Sequence, residues 1–163
     1  LVVAALEASG APFELITCDP DFADTAAFCE HYGVPPGISA NTIVVASRKE
    51  PKQYVACVAL ATMRLDVNGT VRRRLGVAKA SFASPEETAQ RTGMMIGGVT
   101  PLGMPGDLPV WVDAQVMRLP RIVLGGGSRS LKVKAAPAVL ATLPTFEEVQ
   151  GLANPIEPRT TTG

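Results

Sequence analysis

Thr42-Ile43-Val44-Val45-Ala46-Ser47 and Tyr54-Val55-Ala56-Cys57-Val58-Ala59-Leu60, separated by the charged turn Arg48-Lys49-Glu50-Pro51-Lys52, decide the fold. Both runs are rich in strand-forming residues and bounded by turn residues, so they predict a hairpin in the middle of a sheet. Both are apolar at consecutive positions rather than at alternate ones. Strands that read this way are covered on both faces, and helices are expected to pack over them.

Toward the N-terminus, residues 1–9 have helical composition and are stopped by Gly10-Ala11-Pro12, after which residues 13–17 alternate as a short strand. Asp24 or Thr25 caps a second helix that runs to Tyr32, with Gly33 as its stop and Pro35-Pro36-Gly37 preventing continuation. Toward the C-terminus, Asp66-Val67-Asn68-Gly69 turns into a short helix at 70–75, followed by a strand at 79–82. Ser84-Pro85-Glu86-Glu87 then starts a helix: the serine accepts orphan amides, the proline suits the first turn, and the acids complement the positive helix end. Residues 93–106 form a glycine- and proline-rich loop longer than an ordinary connector, a kind that often carries function. Strands at 109–113, 121–124 and 131–134 and a helix at 137–143 complete the pattern. Helices and strands interleave without regular βαβ spacing, so the expected class is α/β (α+β), a curved mixed β-sheet or partial barrel flanked by helices. One domain over 1–150 is expected, with 151–163 as a disordered tail.

Composition narrows the function. Hydrophobic residues at 47% and charged residues at 18% place the 163-residue chain among single globular domains. Lys plus Arg equals Asp plus Glu at 15 each, so any contact with nucleic acid must rest on a local patch, and a nucleic-acid-coating role is disfavoured. Cys18, Cys29 and Cys57 lack metal or disulfide spacing and read as reduced, buried thiols, so no metal and no cofactor is expected. The single histidine, His31, reads as a packing residue on a helix. No apolar run approaches a membrane span, and the opening residues lack the basic lead of a secretory signal; a cytoplasmic protein without a membrane partner is expected.

Two glycine-rich loops are the candidate chemistry. In Gly97-Gly98-Val99-Thr100-Pro101-Leu102-Gly103, glycines permit close approach of a ligand, and exposed amides hold a carbonyl oxygen as charge builds on it; glycines also build tight turns. Gly125-Gly126-Gly127-Ser128-Arg129 follows a strand and leads into another strand, so it is not a dinucleotide or P-loop site. Arg129 at its end offers a fork of donors to a phosphate or ribose; the alternative is a plain hairpin turn. The Arg72-Arg73-Arg74 cluster reads either as a local contact for nucleic acid or as a solvated helix face.

The order of these pieces over residues 10–143 resembles the YbaK/prolyl-tRNA-synthetase-associated editing domains. Residues 97–103 look like the family's GGxSPLG loop, Leu108-Pro109 through Asp113-Ala114 like the strand that follows, and Gly126-Gly127-Ser128-Arg129 like the later GGxR loop. The resemblance implies a trans-editing deacylase that hydrolyses the ester of a mischarged tRNA, the prolyl-tRNA type favoured, with a group of the substrate assisting. It implies Gly97, Gly98, Thr100 and Pro101 as the catalytic loop. Asn41, Thr42, Val99, Asp113, Gly126, Gly127 and Arg129 are implied as substrate contacts. The implied partners are the aminoacyl-tRNA acceptor end and, beyond it, an aminoacyl-tRNA synthetase. One departure stands out: Asn41-Thr42 occupies the place where many members carry lysine and threonine, and asparagine supplies no charge. That favours an alternative, a non-catalytic module of the same fold that binds an aminoacyl end, nucleotide or synthetase.

Overall fold

The two central runs form the expected hairpin, β2 (Ala40–Ser47) with β3 (Tyr54–Leu60), antiparallel with Ile43 opposite Cys57, in a computed structural model that describes residues 2–156. They lie in a five-stranded mixed sheet of order β5-β2-β3-β6-β9. β5 (Ala80–Phe82) pairs antiparallel with β2, whereas β6 (Val110–Asp113) and β9 (Phe146–Val149) run parallel to β3. A second, antiparallel sheet of order β1-β8-β7 is built from β1 (Phe13–Thr17), β7 (Ile122–Gly125) and β8 (Leu131–Ala135). Helices α1 (Val2–Ser9), α2 (Thr25–Tyr32), α3 (Arg72–Leu75), α4 (Pro85–Thr92), α5 (Ala114–Met117) and α6 (Ala138–Ala141) flank them, so the α/β class with a mixed, open sheet holds.

The consecutive apolar residues of β3 have a direct cause. Ala56, Val58 and Leu60 face a core shared with Ile122, Leu124, Val133 and Leu140, while Val55 and Cys57 face a second core with Val71, Trp111 and Leu152. A strand buried on both sides needs no polar face. The cover is not helical alone: on one side it is largely the three-stranded sheet. Burial pushes the Cys57 thiol up to about 12, and all three cysteines are free and buried.

Local signals explain the helices. The Ser84 hydroxyl accepts the Glu87 amide at 3.0 Å and the Glu87 carboxylate accepts the Ser84 amide at 3.2 Å, a reciprocal cap that starts α4. Gly33 ends α2 in the left-handed conformation at φ 68°.

The chain beyond residue 150 differs from the expected tail. Ala153–Pro155 forms a strand, β10, antiparallel to β4 (Met63–Leu65), with Leu152 fully buried. A three-residue strand whose partner lies some ninety positions earlier leaves no periodic signature, and the burial of Leu152 anchors it. Residues 157–163 of that expected tail, and Leu1 of the first helix, lie outside the described residues. β9 escaped sequence reading because its two central residues, Glu147 and Glu148, are polar and exposed. Among the described residues no helix is long and apolar enough to cross a membrane.

Candidate active site

The two sheets meet where Ser39, just before β2, bridges to Val123 of β7. A cavity of about 430 Å³ opens at this seam. β2 supplies its floor from Ala40 to Val44, β7 contributes Val123 to Gly125, and β8 contributes Lys132. Asp24, Thr25 and Phe28 close it from α2 and its cap, and Ile96, Gly97 and Val99 from the long loop. Phe82 of β5 stands at its edge, 60% exposed.

Lys132 is the residue that sequence reading missed. The residue is only 6% exposed, and its ammonium donates to the carbonyl oxygens of Ala23 at 2.6 Å and Gly97 at 2.8 Å. The Phe28 ring centroid lies 5.5 Å away, close enough for a cation–π attraction. Burial lowers its pKa from the ordinary lysine value, while charge on the Cys18 thiol works the other way. In the alternating stretch Leu131-Lys132-Val133-Lys134 nothing distinguishes Lys132 from Lys134. The difference is tertiary: α2 and the long loop roof over the first lysine and not the second.

The two glycine loops stack backbone on backbone. A Cβ on Gly98 would stand 2.6 Å from the Ser128 carbonyl carbon, and the Gly127 amide donates to the Gly98 oxygen at 2.8 Å. A Cβ on Gly125 would likewise meet the Gly98 oxygen at 3.0 Å, whereas Gly126 packs within its own hairpin, where a Cβ would meet the Leu131 oxygen at 2.6 Å. Gly98 and Gly125 therefore serve loop-to-loop packing. Gly98, Thr100 and Pro101 do not line the cavity: all three are buried behind it. The Gly98 amide donates to the Met95 oxygen at 3.0 Å and the Thr100 amide to the Met94 sulfur at 3.4 Å, so neither is free for a ligand. Of the four residues expected to act chemically, only Gly97 reaches the cavity, with Val99 beside it. Among the described residues the amides of Gly97 and Val99 have no protein acceptor.

Asn41 and Thr42 both line the cavity. The Thr25 hydroxyl donates to the Asn41 side-chain oxygen, and the buried Thr42 hydroxyl has no partner among the described residues. A buried hydroxyl without a partner is costly, and such groups are uncommon in folded proteins. Gly126 and Gly127 lie behind the wall, and Arg129 is spent on protein groups: it donates to the Pro20 oxygen at 2.8 Å, to the Ile96 oxygen at 2.9 Å and to Asp24 at 3.1 Å. It clasps α2 to the long loop. Asp113, 1% exposed, accepts the Gln115 amide at 2.8 Å and the Ala153 amide at 2.9 Å, which caps α5 and pins β10 away from the cavity. His31 stacks on Phe22 with centroids 3.9 Å apart, as a packing residue.

The residues that line the cavity thus carry one ammonium, one carboxylate held by an arginine, a hydroxyl and two amides without a protein partner among the described residues, and apolar side chains. Its setting is shared with known proteins. A solved structure described as that of a candidate trans-editing enzyme for prolyl-tRNA synthetase superposes with a TM-score of 0.76 at 25% identity, covering 91% of this chain and 92% of the other. The protein YwhH of Bacillus subtilis is 30% identical over 123 residues, 74% of this chain and 77% of its own length. The candidate Cys-tRNA(Pro)/Cys-tRNA(Cys) deacylase EbsC of Enterococcus faecalis is 22% identical over 123 residues, 76% of this chain and 73% of its own. The aminoacyl-tRNA editing domain profile matches residues 19–143, a span that contains every wall of the cavity, and the chain belongs to that family.

Proposed function

We propose that the chain is a trans-editing deacylase that frees the wrong amino acid from a tRNA of the prolyl type. The observation that carries this reading is the set of unspent polar groups in one cavity: the amides of Gly97 and Val99 and the hydroxyl of Thr42. The aminoacyl ester enters the seam, with its carbonyl oxygen at the two amides and its side chain against Phe28, Ile43 and Val123. Water adds to the carbonyl carbon and the amides hold the resulting oxyanion. The ester C–O bond then breaks, releasing the amino acid and returning a proton to the ribose oxygen. Asp24, the cavity's carboxylate, is held by Arg129, so proton transfer falls to water and to groups of the substrate itself. Lys132 holds the Gly97 carbonyl and gives the cavity its positive charge, and Arg129 holds the Ile96 carbonyl, on the peptide that carries the Gly97 amide. The prolyl-type acceptor is supported by the descriptions of EbsC and of the trans-editing structure. A cytoplasmic setting and association with a synthetase follow from the same reading.

A second reading, a non-catalytic module holding the aminoacyl end, is favoured by Asn41, which puts no charge on the cavity floor. Amino-acid release from a panel of charged and mischarged tRNAs, wild type against Asn41→Lys, decides between them. Selective release by the wild type supports the deacylase; release by the lysine variant alone supports the binding module.

A further inference from the structure

A second, more open feature lies along the same edge strand as the cavity mouth. Arg48, Arg72 and Lys79 line an open cleft together with Asn68, Ala80 and Ser81, and no acidic residue lines it. None of the three cations is in an ion pair among the described residues. In a chain whose charges balance at 15 and 15, an unneutralised trio is a local positive field. Arg72 is also pre-oriented: its Nε donates to the Asn68 oxygen at 2.8 Å and its Nη1 to the Val77 oxygen at 3.5 Å, leaving its Nη2 for a ligand. The cleft and the cavity share β5, for Lys79 to Ser81 line the one and Phe82 and Ala83 the other. The Arg48 amide donates to the Lys79 oxygen at 3.1 Å, tying the end of β2 to the same edge. Three strand positions separate Lys79 from Phe82, roughly 10 Å.

We infer that this cleft and Phe82 form a track for single-stranded RNA leading into the cavity. The cations hold phosphates of the nucleotides that precede the terminal one, and the exposed Phe82 ring stacks a base at the mouth. A positive groove with an interleaved aromatic is how single strands are held without sequence readout. The inference rests on the deacylase reading for which end of the RNA enters, and it extends that reading by assigning the phosphate contacts.

The test measures binding, so it does not depend on hydrolysis. An acceptor-stem RNA hairpin with a single-stranded 3′ end is titrated against the wild type, Arg48→Gln/Lys79→Gln, Phe82→Ala, and a control of equal charge change, Arg118→Gln/Arg121→Gln. The cleft variant is expected to raise Kd roughly tenfold and to reduce the slope of log Kd against log salt by about 1.4, two phosphate contacts at about 0.7 each. Phe82→Ala is expected to raise Kd roughly tenfold with the salt slope unchanged. The control should match the wild type. Equal losses in the control and the cleft variant, or an unchanged Kd and slope in the cleft variant, overturn the inference. Amino-acid release by the wild type, measured separately, then shows whether the deacylase reading survives that outcome.

Discussion

Lys132 reaches across from β8 to donate to the carbonyl oxygen of Gly97 at 2.8 Å, so the loop residue that lines the cavity is held in place by a buried ammonium. The same nitrogen holds the Ala23 oxygen at 2.6 Å, coupling the loop to the approach of α2. Replacing it with methionine keeps most of the volume and leaves two carbonyls without their donor. Lys132→Met is expected to cost about 1–3 kcal/mol in stability for the unsatisfied groups, and to lower kcat for ester release at least tenfold. Chemical denaturation and single-turnover deacylation read the two effects. A variant that loses stability but keeps kcat would remove Lys132 from loop positioning.

Gly98→Ala is expected to destabilise the fold by about 1–3 kcal/mol, because the new methyl meets the Ser128 main chain at 2.6 Å and neither backbone has room to move. Gly106→Ala, in open space on the same loop, should change stability by less than about 0.5 kcal/mol. Urea midpoints of the two variants check the contrast. Loss of turnover in a Gly98 variant therefore reports folding as much as chemistry.

The Glu87 carboxylate is held down to about 2, first by the Lys52 ammonium and then by the Ser84 amide and the Tyr54 hydroxyl. Its pKa is lower folded than unfolded, so its contribution is present above the ordinary value near 4.5 and is lost as pH falls toward 2. Lys52 is shifted up by the same partner, in agreement with the pair being formed. Between those two pH values, stability of Glu87→Gln should fall less steeply than that of the wild type. Parallel curves in thermal melts across that window would contradict it.

Asp113→Ala should free the last strand. It removes the acceptor of the Ala153 amide and of the Gln115 amide from a fully covered position. Hydrogen exchange at Ala153 is expected to accelerate at least tenfold while exchange in β3 changes little; equal protection in the variant would mean that the β4 pairing alone holds the strand.

Much of this architecture is legible from residues that act locally. The doubly apolar β3, the cap at Ser84 and the stop at Gly33 each announce themselves within a few positions. So does the order of the two glycine loops, which is enough to bring the family resemblance into view. The burial of Lys132 and the spent donors of Arg129 depend on what folds over them from 30 to 110 positions away; the amides of Gly98 and Thr100 are spent within their own loop, on Met95 and Met94, through a turn geometry that glycine and proline content alone does not specify. Alternation along a strand says which face a lysine takes, and it says nothing about whether that face has a roof. For the same reason a glycine that serves a ligand and a glycine that serves a neighbouring loop look alike in sequence.

The backbone-on-backbone stacking of the two glycine loops also bears on how such a cavity can diversify. Where a wall is backed by main chain, substitution has no vocabulary: a new side chain at Gly125, in the wall, or at Gly98, behind it, collides with the other loop before it can touch a substrate. A change of amino-acid preference must therefore be written on the opposite walls, at Phe28, Ile43, Val44 and Val123, whose side chains line the cavity without building the loop junction. Half of this pocket is fixed machinery, and the other half is where a lineage can choose what it hydrolyses.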